Sequence, residues 1–178
     1  MSIVKILQDG DPVLRQKTEP VPKELFGTPK LKKMVADMAD TLEVEKDGVA
    51  IAATQIGLPY RIFLIRYDRI TPPPKEGEPP HKPELGVFIN PEYVRLSKKG
   101  AEMDEGCLSV RHVYGKTIRK ERATVRAQDA DGKKFERGGG KVLAQAFQHE
   151  IDHLEGILFI DHAHDLLEIR AKDEYEPV

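Results

Sequence analysis

Two histidines four residues apart, His149 and His153, bracket a glutamate in the run Gln148-His149-Glu150-Ile151-Asp152-His153-Leu154-Glu155-Gly156. This spacing constrains the fold of the 178-residue chain more than any other feature. On an α-helix, residues i and i+4 stand one above the other, so both imidazoles face one side and can share a metal ion. Glu150, beside the first imidazole, is then placed to act on a water molecule as general base. With 6 histidines in the chain, His-Glu-x-x-His is expected by chance about 0.02 times. The competing reading is a pair of ordinary surface or core histidines on an amphipathic helix.

Two imidazoles do not complete a catalytic metal site, which needs a third protein ligand and an open position. His162 and His164 lie 9 and 11 residues beyond His153. The extended metalloprotease motif, His-Glu-x-x-His-x-x-Gly-x-x-His, would instead place its third histidine where this chain has Phe159. Cys107 is the better candidate. It stands in Glu105-Gly106-Cys107-Leu108-Ser109, where Gly106 permits a close backbone approach and a thiolate binds divalent transition metals strongly. Read alone, a cysteine is more often a small buried hydrophobe. As the only cysteine it excludes an internal disulfide and fits a reducing compartment.

A third element is Gly48-Val49-Ala50-Ile51-Ala52-Ala53-Thr54-Gln55-Ile56-Gly57. In isolation it reads as a tightly packed turn of small residues. The same residues would let a peptide backbone lie against the chain as an added strand, with the Gln55 amide as a donor.

Around these motifs the patterning predicts an α+β fold with antiparallel sheet, in one domain over residues 1–178. Thr28 and Pro29 open an amphipathic helix that runs to about Lys46, carried by Leu31, Met34, Val35, Met38 and Leu42. Arg61–Tyr67 and Gly86–Ile89 read as strands on either side of a proline-crowded loop, Thr71–Glu84. Glu121–Gln128 alternates as a strand, turns at Asp131-Gly132 and pairs with Lys133–Arg137. A second helix covers about Lys141–Leu154, ended by Gly156.

Apolar runs reach only four or five residues, as at Ile62–Ile65, far below a membrane span. A net charge of -2, no tryptophan and few aromatic residues argue against stable nucleic-acid binding. The segment from His164 to Val178 is acidic, with five carboxylates against Arg170 and Lys172, which argues against docking on polyanionic RNA. The expected location is the cytoplasm, although a processed organellar protein would read the same.

Taken together, GVAIAATQIG at 48–57, EGCLS at 105–109 and QHEIDHLEG at 148–156 resemble, in order, the three motifs of the peptide deformylase family. The Gly10-Asp11-Pro12-Val13-Leu14-Arg15 stretch also resembles that family's start, so the likeness covers nearly the whole chain. It implies antiparallel sheets packed around a central C-terminal helix carrying the His-Glu-x-x-His motif. It further implies one divalent metal held by Cys107, His149 and His153, natively iron(II), with zinc, nickel or cobalt able to replace it. Glu150 would be the acid/base, Gln55 and the Leu108 backbone N–H the oxyanion hole, and Gly48, Val49 and Ala50 the peptide-binding edge. The implied substrate is an N-formyl-methionyl nascent peptide, processed by a cytoplasmic monomer. A deformylase-like protein with altered preference or lost turnover, or an HExxH metallopeptidase, would use many of the same residues.

The chain departs from the family pattern at three places: Ala50 where glycine is usual, Arg111 where proline is common, and Gln145 one turn before His149. An ion pair between Glu105 and Arg119 is expected from the family's spacing, holding the segment that carries Cys107.

Overall fold

The computed structural model describes residues 2–72, 74, 77, 79 and 81–169. Helix α1 (Pro29–Val44) leads into a short strand β1 (Ala50–Ala52), then β2 (Ile62–Arg66) and a single helical turn α2 (Tyr67–Ile70). Strands β3 (Leu85–Leu96), β4 (Gly100–Cys107), β5 (Val110–Lys120), β6 (Arg122–Gln128) and β7 (Lys134–Gly140) follow. Helix α3 (Val142–Leu154) and strand β8 (His164–Glu168) complete the described chain. The strands form an antiparallel five-stranded sheet in the order β1-β2-β3-β6-β7 and a three-stranded sheet in the order β4-β5-β8. This is the mixed α/β architecture with antiparallel sheets and a C-terminal helix that the sequence implied.

Strand β2 explains how the larger sheet is covered. All five of its residues, Ile-Phe-Leu-Ile-Arg, are buried, as expected where both faces of a strand are packed. Side chains alternate between the faces. Phe63 and Ile65 join Phe88, Phe147, Ile151 and Leu154 beneath α3. Ile62 and Leu64 join Leu31, Met38 and Leu42 of α1. The sheet is therefore held between the two helices, with Phe63 stacked on Phe88 at 4.6 Å and Phe147 edge-on to Phe88 at 5.3 Å.

The helix ends follow their sequence signals. Thr28 Oγ1 accepts from Leu31 N at 3.3 Å, with Pro29 in the first turn. Beyond α3, Gly156 takes φ 76°, and a Cβ there would lie 2.5 Å from the Arg15 carbonyl oxygen. No other residue fits that combination without strain.

Three element predictions need correction. Strand β3 runs to Leu96, well past Ile89, because register shifts between Ile89 and Glu92 and between Tyr93 and Arg95 accommodate Pro91 and an Asn90 at φ 51°. The hairpin β4–β5 was not anticipated. Its buried positions include Glu105, Thr117 and Arg119 while Tyr114 and Ile118 stand exposed, so the strands lack the usual apolar alternation. Tyr67 starts α2 and does not extend β2. The acidic stretch from residue 170 onward lies outside the described residues.

Candidate active site

Three elements converge on one cleft of about 290 Å³. Cys107 ends β4 and pairs with Val110 across a two-residue turn formed by Leu108 and Ser109. His149, Glu150 and His153 come from α3. Gln55 stands in the 3-10 turn Ala53–Ile56 that follows β1. The cleft is lined by Gly48, Val49, Ala50, Leu108, Gln55 and Glu150, together with Cys107 and His149. His153 is 1% exposed and lies beneath.

The sulfur of Cys107 and one ring nitrogen from each of His149 and His153 all lie within 4.8 Å of one another. Cys107 Sγ is 3.2 Å from His153 Nε2 and accepts from Ser109 N at 3.4 Å. His162 and His164 are elsewhere, beside Asp152 and Glu102 respectively, which removes both from the choice of third ligand. One soft sulfur and two imidazoles, with an open side toward a cleft, form a donor set that fits a divalent transition metal.

The buried charges around the donors are arranged to hold them. Arg119 forks the Glu105 carboxylate, with Nε–Oε2 at 2.9 Å and Nη2–Oε1 at 2.5 Å, so the expected ion pair is present. Arg119 Nη1 also reaches Asp152 at 2.6 Å, tying β5 to α3. Burial disfavours the ionised form of Glu105, yet hydrogen bonds from Arg119 and His149 keep it well below the usual carboxylate range. It is therefore an acceptor toward His149 Nδ1, 2.6 Å away.

The two imidazoles are driven in opposite directions. Burial resists protonation of His149, but the facing Cys107 sulfur and Glu105 carry it well above its ordinary value. Burial and then the neighbouring His149 push His153 well below. Two rings 4.9 Å apart in a dry site cannot both carry a proton cheaply, whereas both can be neutral ligands to one cation.

Glu150 is 2% exposed, and burial pushes its carboxyl up to about 7. Among the described residues its Oε2 has no hydrogen-bond partner. Gln55 Oε1 accepts from Ala52 N at 2.8 Å, which fixes the amide so that Nε2 faces Ser109 Oγ at 3.1 Å and Cys107 Sγ at 3.6 Å. That is a polar donor aimed at the donor cluster.

The three departures from the family pattern have structural answers. Ala50 has extended backbone in β1 and packs into the cluster beneath α3, so its methyl forces no left-handed conformation. Arg111 pairs with Glu45 at 2.8 Å, linking the start of β5 to the loop after α1. Gln145 lines the cleft, but its amide nitrogen donates to the Asp104 carbonyl at 2.8 Å.

Sequence reasoning missed Gln148. Its side-chain amide makes both hydrogen bonds to the Lys120 backbone, accepting from N at 2.8 Å and donating to O at 3.0 Å. This fastens α3 to the smaller sheet. Its place immediately before His149 was the available signal.

A family model described as polypeptide deformylase matches residues 3–168. The chain is 40% identical over 164 residues to a peptide deformylase of Brucella suis, spanning 91% of this chain and 85% of that protein. It is 41% identical over 160 residues to one of Acidobacterium capsulatum, spanning 90% and 86% respectively. A crystal structure of a peptide deformylase from Legionella pneumophila superposes with TM-score 0.79 at 36% identity, covering 92% of this chain and 88% of that one. The actinonin-bound class I type b peptide deformylase from Acinetobacter baumannii gives TM-score 0.80 at 27% identity, covering 92% and 100%.

Proposed function

The chain belongs to the peptide deformylase family, hydrolases that remove formyl groups from nascent peptides, and from that premise we propose how its own residues divide the work. Cys107, His149 and His153 hold one divalent metal, and the substrate is an N-formyl-methionyl peptide. The observation that carries this reading is a sulfur and two imidazoles gathered beside a buried carboxylate oxygen that has no partner among the described residues, on a residue lining the cleft.

A divalent metal bound there would supply Lewis acidity, lowering the pKa of a water toward neutrality and polarising the formyl carbonyl. Glu150 Oε2 takes the proton of the water that attacks the formyl carbon and returns it to the departing amine nitrogen. Its value near 7 suits both transfers at neutral pH. Gln55 Nε2 and the Leu108 N–H donate to the formyl oxygen as negative charge develops on it. The products are formate and a free amino terminus.

The peptide backbone lies along Gly48, Val49 and Ala50. Strand β1 supports this placement because it stands at the edge of its sheet, with β2 on one side only. The methionine side chain enters the part of the cleft near Gln145 and Val142. Iron(II) is the native metal on the family resemblance, with zinc, nickel or cobalt accepted by the same ligands. The enzyme acts as a single catalytic domain over residues 1–178, a cytoplasmic monomer without stable nucleic-acid or membrane attachment. Among the described residues no helix is long and apolar enough to cross a membrane.

The test is formate release from a formyl-methionyl peptide by protein of measured metal content. Activity should follow bound metal, vanish on chelation and return on adding iron(II) under nitrogen or nickel in air. Full activity in metal-free protein would overturn the reading.

A further inference from the structure

Helix α1 ends at Val44, and the chain reverses through residues 45–48 before entering β1. Such a reversal leaves the last carbonyls of the helix without intrahelical donors. Glu45 N and Gly48 N donate to Leu42 O and Glu45 O, and one side chain from outside the segment meets these two carbonyls and those of Glu43 and Gly48. Arg69, on α2, places Nη1 3.0 Å from Leu42 O, 2.7 Å from Glu45 O and 2.6 Å from Gly48 O, and Nη2 3.2 Å from Glu43 O. Its side chain is 17% exposed, and Arg69 is not among the residues lining the cleft.

The second carboxylate-rich layer fixes the guanidinium in turn. Glu43 Oε2 lies 3.4 Å from Arg69 Nη2 and also bonds Arg66. Arg66 forks Asp68 at 2.9 and 2.8 Å. The reversal is closely packed as well. A Cβ at Gly48 would meet Leu42, Glu45 and Leu108 side-chain carbons, each at 3.1 Å. Gly48 thus has no easy room for a side chain, and its carbonyl accepts from Arg69 at 2.6 Å.

We propose that Arg69 is a positioning residue for peptide binding: by holding the Glu45 and Gly48 carbonyls from behind, it fixes the Gly48–Ala50 edge against which a substrate backbone pairs. The inference rests on the reading of that edge as the peptide-binding one. A planar fork meeting several carbonyls at once is a task a single ammonium performs poorly. Arg69 touches neither the donor cluster nor the reacting atoms, so its influence falls on the length of substrate recognised and not on the chemical step.

The experiment compares formyl-methionine with a formyl-methionyl tripeptide on metal-loaded wild type, Arg69→Ala and Arg69→Lys. In the wild type, kcat/KM should be much higher for the tripeptide, because only it reaches along the edge. Arg69→Ala should raise KM for the tripeptide about tenfold, leave its kcat within about twofold, and leave kcat/KM for formyl-methionine unchanged. Arg69→Lys should fall between, and carries the test by itself if the alanine variant does not fold. A wild type that treats the two substrates alike overturns the peptide-edge reading itself. A wild-type preference that persists undiminished in both variants, or an equal loss on both substrates, overturns only the role given to Arg69.

Discussion

Glu105 accepts a hydrogen bond from His149 Nδ1 at 2.6 Å, and this fixes which nitrogen of the imidazole is left for the donor cluster. Because Glu105 is held ionised by Arg119, it can only accept, so a proton sits on Nδ1 and Nε2 is the nitrogen left available to a metal. The same carboxylate lies two residues before Cys107 on β4. One side chain therefore links two of the proposed ligands, which come from different elements.

Replacing Glu105 with glutamine should weaken this hold without emptying the space. The expected result is a loss of metal affinity of about 10–100-fold, read by competition against a chromogenic chelator. Arg119 keeps its contact with Asp152, so the variant should still fold, with a lowered Tm. Unchanged affinity in a folded Glu105→Gln protein would remove Glu105 from the site's support.

Gln55 is held by the Ala52 N–H and aimed at Ser109 Oγ and the Cys107 sulfur. Gln55→Leu keeps most of the volume and deletes the donor. If Gln55 stabilises charge on the formyl oxygen, kcat should drop by about 10²–10³, with metal content unchanged. The Ala52 N–H loses its acceptor, which costs about 1–3 kcal/mol of stability, measurable by urea unfolding. A variant with normal kcat would take the oxyanion role away from Gln55.

The pairing of His149 with His153 was legible in the sequence because helical geometry converts a four-residue spacing into a shared face, and α3 carries both imidazoles into one cluster. The position of Cys107 opposite them could not come from spacing, since β4 and β5 bury Glu105, Thr117 and Arg119 and expose Tyr114 and Ile118. Its choice as third-ligand candidate rested on thiolate chemistry beside Gly106, and family likeness then agreed with it. The Glu105–Arg119 pair was expected from the family's spacing, but not that Arg119, 5% exposed, would also reach Asp152 of α3. An arginine buried by a pairing between strands and a helix has no local signature. Strand β3 was cut short for a related reason. Asn90-Pro91 is a turn signal in isolation, and only pairing with β6 on the far side shows it to be a bulge.

Gly156 offers a stability test away from the chemistry. Its backbone lies at φ 76°, and an added Cβ would approach the Arg15 carbonyl oxygen to 2.5 Å. Gly156→Ala should lose about 1–3 kcal/mol from backbone strain alone, with the clash adding to it. Thermal unfolding of the metal-loaded protein provides the measurement. Thr18 also bonds Leu154 O through both its N–H and its hydroxyl, so a displaced helix end would disturb this packing too. A Tm within a degree of wild type would show that the chain around Arg15 yields more easily than its packing suggests.

The decisive substitution is Glu150→Gln, because it separates proton transfer from metal binding. Glu150 follows His149 by one residue, about 100° around the helix, and it is buried at the edge of the cleft, its Oε2 without a partner among the described residues. Glutamine preserves its size and part of its hydrogen-bonding capacity, so the fold and the bound metal should be retained. An amide cannot take up a proton near neutral pH, so formate release should fall by about 10²–10⁴, the span of a positioned acid or base. A surface role for Glu150 predicts almost no change, and a ligand role predicts that metal and activity disappear together. Metal content and formate release must therefore be measured on the same preparation. Retained metal with activity near wild type would end the assignment of Glu150 as acid/base, and the proton would then have to be carried by another group facing the cleft.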